Sequence, residues 1–97
     1  MQVRALGLLG FTLAKAGERA EAKRVLADIT ARWRAGKMGA YDVATIYAGL
    51  GDYDQAFVWL EKSIGDRSIR PEIMGPAFDA LRADPRFNRI RQRLRLQ

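Results

Sequence analysis

The stretch AGLGDYDQAFVWLEKS, residues 48–63, restates in other letters AKAGERAEAKRVLADI, residues 14–29. At an offset of 34 residues Ala14 falls on Ala48, Gly17 on Gly51, Ala22 on Ala56 and Leu26 on Leu60. Glu18 pairs with Asp52 and Glu21 with Gln55, so acid or amide character recurs too. Every matched position has a task in a helix-turn-helix. Gly17 and Gly51 sit where a first helix should end, because glycine enters the left-handed conformation without steric penalty. Asp52 with Gln55 forms a capping-box pattern that starts a second helix at once, and Glu18 is the poorer cap of the first copy. Ala22 and Ala56 follow one turn later, small enough to let antiparallel helices approach to about 8–10 Å. Leu26 and Leu60 lie four residues further on the same helical face and extend the buried seam.

This period, with its turn glycine and following alanine, resembles the tetratricopeptide repeat (TPR), a helical-hairpin family whose arrays serve as binding scaffolds. Counted from Val3, the family pattern falls on Leu6, Leu9, Gly10, Leu13 and Gly17, then on Ala22 and Leu26. From Lys37 it falls on Ala40, Val43, Ala44, Tyr47 and Gly51, then on Tyr53, Ala56 and Leu60. The departures are Ala40 for a usual large residue, Ser63 for the usual second alanine, and Arg34 and Ser68 where proline is common. The resemblance covers about residues 3–68 and implies an all-α fold of antiparallel helical hairpins stacked as an α-solenoid. Repeat 1 is expected at about 3–36, repeat 2 at about 37–70 and C-terminal capping helices at about 71–97, in a single domain over 1–97.

The last segment makes no third repeat, because counting on from Pro71 puts Pro85 at the turn-glycine position. Gly75-Pro76 restarts the chain, PAFDAL reads as a short helix, and Asp84-Pro85 supplies an N-cap with proline at the first helical position. Phe87, Ile90 and Leu94 then share one face, which is expected to seal the stack. The segment PAFDALRADPRFNRI also looks like the terminal segments that close such arrays in multidomain bacterial signalling proteins, where an effector domain precedes the repeats.

Composition narrows the chemistry. Ninety-seven residues with 48% hydrophobic and 29% charged content describe one small folded domain with a thin stability margin. The absence of cysteine and histidine removes disulfides, thiolate and imidazole catalysis and the usual zinc ligands. Asp52, Asp54 and Asp66 stand near helix ends, where caps explain them, and Ser63 and Ser68 have no imidazole to activate them. The GKMG run at 36–39 lacks P-loop spacing. The expectation is a non-enzyme without a cofactor. The apolar run after Arg4, ending in Ala14-Lys15-Ala16, has the form of a short secretory signal but falls below the ~20 residues a membrane-spanning helix needs. A cytoplasmic location is expected, with the periplasm as the alternative if that run is a signal.

The resemblance implies where a partner would bind, since the family's concave surface is lined by first-helix residues pointing away from the second helix. These are Arg4, Gly7, Leu8, Phe11 and Lys15, then Met38, Tyr41, Asp42, Thr45 and Gly49. Such a mixture suits a peptide or amphipathic helix laid in a groove, with Phe11 and Tyr41 as anchors, or with Phe11 simply in the core. The Lys and Asn clamp by which some members grip acidic tails would fall on Gly7 and Phe11, so that activity does not carry over. Leu8 and Phe11 make the first helix apolar over more than one face, which requires cover: by upstream repeats, by a second copy in a homodimer, or by the C-terminal helices.

The net charge of +6 is uneven: nine Lys and Arg face eight Asp and Glu in residues 1–66, whereas eight Arg face three acids in 67–97. Arg86, Arg89 and Arg93 form a stripe that reads as a solvated face or as an anion-binding site. No exposed aromatic interleaving or familiar motif supports nucleic-acid reading. Trp33 and Trp59 read as core or rim packing.

Overall fold

Four helices end on the same turn. At Gly17, Gly36 and Gly51 the backbone turns left-handed, with φ of 87°, 74° and 80°. Each glycine N–H donates to the carbonyl three residues back and the next N–H to the carbonyl five back, the Schellman pattern that satisfies a helix's last carbonyls. The fourth copy places Arg67 there, at φ 62°, with Arg67 N donating to the Ile64 carbonyl and Ser68 N to that of Ser63.

The computed structural model describes residues 4–69 and 78–95. These form six helices and no strand: α1 (Arg4–Lys15), α2 (Arg19–Arg34), α3 (Ala40–Leu50), α4 (Tyr53–Gly65), α5 (Asp79–Arg82) and α6 (Arg86–Arg95). The starts follow the caps. Asp52 accepts a hydrogen bond from Gln55 N at 3.2 Å, whereas Glu18 makes no such bond. At the head of α6, Asp84 accepts from Arg86 N at 2.9 Å. Val3, Pro71, Gly75 and Pro76 lie outside the described residues. Among the described residues no helix is long and apolar enough to cross a membrane.

α1 packs against α2 and α3, α3 against α4, α6 against α4, and α5 against α6. Short turns join α1 to α2 and α3 to α4, so each of these packed pairs runs antiparallel. Ala22 and Ala56, the small residues one turn into α2 and α4, are fully buried. Two apolar clusters result. One joins Leu6, Ala22, Ile29, Val43, Ile46 and Leu50 across α1–α3. The other joins Ala44, Leu60 and Ile64 to Phe78, Leu81, Phe87 and Ile90, so the C-terminal helices complete the core. α3 feeds both clusters.

Glycines bring α1 onto α3. A Cβ on Gly10 would lie 2.5 Å from Ile46 Cδ1, and one on Gly49 would lie 2.9 Å from the Phe11 ring. α3 itself begins at Gly39, which has no side chain to cap it. Two groups from beyond α4 do the work instead: Ala40 N donates to Asp66 Oδ2 at 2.9 Å and Tyr41 N to Ser68 Oγ at 3.1 Å. Asp66 Oδ1 in turn accepts from Ser68 N at 3.0 Å, which fixes the turn that carries both caps.

Candidate functional site

The residues expected to line a groove divide sharply between the two helices that carry them. On α1, Leu8 is 65% exposed and Lys15 is exposed in the last turn, while Phe11 is half-buried with its ring on the backbone of Gly49. Arg4 begins α1, and only its place in the helix is described. Met38, just before α3, is half-buried against the α1–α3 cluster.

On α3 the expected wall is closed. Tyr41 and Asp42 are each 4% exposed and Thr45 9%, so none stands open to a partner. The Tyr41 ring packs at 5.5 Å from that of Phe78, Thr45 Oγ1 donates to the Tyr41 carbonyl at 3.0 Å, and Asp42 lies under Gly7. The cause is cover from both sides. The glycines of α1 draw it down over one flank of α3, and Phe78, 37 positions after Tyr41, fills the other. The helical register of these residues was readable; what lies over them was not, because it is distant in sequence.

The arginine stripe turns toward α4. Arg86 pairs with Asp54 at 2.7 Å and Asp84 at 3.0 Å, Arg89 lies 3.6 Å from Glu61, and Arg93 also pairs with Glu61. The guanidinium of Arg86 stands 4.6 Å from the centroid of Phe57, so one side chain joins ion pairs and a cation–π contact. Its hydrogen bonds to Asp84 and then Asp54 raise the Arg86 pKa, and the same Arg86 side chain holds the Asp84 carboxyl below the usual aspartate value. The three arginines considered as an anion site thus have acidic neighbours on α4, and these pairs link α6 to α4.

The tryptophans meet. Trp33 at the end of α2 and Trp59 on α4 stack edge to face at 4.7 Å, with Lys62 Nζ 5.6 Å and 5.5 Å from the two rings. The sequence position of each points to packing, but no local signal pairs residues on different hairpins. Nor did any signal mark Asp66 and Ser68 as caps for α3. Among the described residues no group of three or more acidic side chains is placed to hold a metal ion.

No family model, curated protein or solved structure matches the chain.

Proposed function

We propose that the chain is a non-catalytic protein-interaction module of the tetratricopeptide type, whose docking face is the open side of α1. The observation that carries this reading is Leu8: a large apolar side chain, 65% exposed at the middle of a helix whose other faces are packed. Half-buried Phe11 borders it and Lys15 extends the strip toward the helix end. The repeat-like arrangement draws support from the same Schellman turn at Gly17 and Gly51 and the same buried alanine at 22 and 56.

The occupant that fits this strip is another helix with an apolar stripe, and for the isolated chain it is α1 of a second copy. Two hairpins are fewer than the roughly three that repeat arrays need for stability, and the C-terminal helices seat on the second hairpin, so a second copy supplies cover for the open side of α1. Binding uses a preformed surface: α1 is already fixed on α3 by the Gly10 and Gly49 contacts, so little ordering cost remains. Burying the exposed two-thirds of Leu8 contributes about 1–2 kcal/mol per copy. Light scattering across a wide concentration range tests this. A dimer that Leu8→Glu converts to a monomer with unchanged helicity is expected. A wild-type mass that stays monomeric at every concentration would sink the self-association, and loss of folding in the Leu8→Glu chain would show that Leu8 belongs to the core.

A further inference from the structure

The end of α2, the loop after it and the turn after α4 meet around an open cleft of about 480 Å³, lined by Trp33, Lys37, Met38, Asp66 and Arg67 among others. Its volume lies in the range of small-molecule sites. Lys62 does not line it, but its Nζ stands 5.6 Å from the Trp33 ring. Two cations, Lys37 and Arg67, therefore flank one concave surface that also offers an indole and a thioether.

Arg24, Arg32, Arg86, Arg89 and Arg93 each have a carboxylate within reach. Among the described residues neither Lys37 nor Arg67 has an ion-pair partner, nor has Lys62. The acid in the cleft, Asp66, makes no ion pair with them; its two oxygens accept from the backbone N–H groups of Ala40 and Ser68. Its charge is set against the positive end of α3. Those amides are in use and are not offered to a ligand; the attraction comes from the side chains.

We infer that this cleft binds a small phosphate monoester, its phosphate between Lys37 and Arg67 and its apolar body against Trp33 and Met38. Phosphate is favoured over carboxylate by charge: a monoester carries about −1.5 to −2 at neutral pH, closer to the two lining cations than a single carboxylate is. The site is separate from the α1 face and does not depend on that reading.

The test is a titration at pH 7 followed by amide and indole nitrogen–proton NMR signals, with 1-naphthyl phosphate, inorganic phosphate and 1-naphthol as probes. Naphthyl phosphate should shift the Trp33 indole signal and the amides of 36–39 and 66–68 saturably. Inorganic phosphate should move the amides with little change at the indole. The variant Lys37→Gln with Arg67→Gly should bind naphthyl phosphate at least tenfold more weakly, about 1.4 kcal/mol. Glycine suits the backbone at 67, so this variant keeps its fold, which a thermal melt verifies. Naphthol binding as well as its phosphate, undiminished binding in the variant, or the absence of any saturable shift would each overturn the proposal.

Discussion

Gly39 shows how one missing side chain can decide a junction. Its backbone, φ −85° and ψ 160°, is open to any residue, so the requirement for glycine is spatial. A Cβ there would fall 2.0 Å from Ser68 Cβ and 2.5 Å from its Oγ, the atom that caps Tyr41 N. Gly39→Ala must push the turn away and loosen both caps of α3, and should cost about 1–3 kcal/mol in urea unfolding. Arg67 is the converse case. It occupies a left-handed position that glycine fills at the other three turns, and Arg67→Gly should raise stability by about 0.5–1 kcal/mol after the entropy of glycine is counted. A loss of stability would mean that the arginine side chain makes a contribution larger than the backbone strain.

At the level of elements, α6 is attached by an apolar face and by charge. Phe87 and Ile90 are buried against α4 and its neighbours, while Asp84 both caps α6 and holds Arg86. The depressed Asp84 pKa gives this charge contribution a direction with pH. A carboxyl held below its unfolded value stabilises the folded state above the ordinary aspartate value of about 3.9, and that stability is lost as pH falls through the lower folded value. Asp84→Asn keeps a capping side chain without the charge, so it should melt below wild type at pH 7. The two curves should converge as pH falls through the acid range below about 4. Parallel curves down to the acid limit would exclude this linkage.

The described residues form a pair of hairpins joined to a C-terminal cover through α3 and α4. Because Tyr41 and Ala44 of α3 share a cluster with Phe78 and Phe87, the cover and the second hairpin should unfold together. Phe87→Ala removes a fully buried ring and should cost about 3–5 kcal/mol, a large part of what a domain of this size has to lose. Circular dichroism and tryptophan fluorescence should trace one shared transition at lower denaturant. A separate early step, with the Trp33–Trp59 signal unchanged, would show that the C-terminal helices are an independent appendage.

Local chemistry written into consecutive residues was legible without coordinates. The left-handed turns at Gly17 and Gly51, the cap by Asp52, the buried Ala22 and Ala56 and the sealing face of Phe87 and Ile90 all depend on spacings of a few residues along one helix. Such spacings are set by the helical period, and the period survives folding. Contacts between distant segments left no comparable trace. Tyr41 was readable as a residue on one face of α3, but only tertiary packing brings Phe78 over it and closes that face. The arginines of α6 were readable as a stripe, yet their pairing with Asp54 and Glu61 depends on how α6 lies on α4. The caps of α3 from Asp66 and Ser68, the Trp33–Trp59 pair and the cleft beside Lys37 and Arg67 belong to the same class. The helical period places a side chain on a face; which face is covered, and by what, is fixed by close packing between elements far apart in the chain.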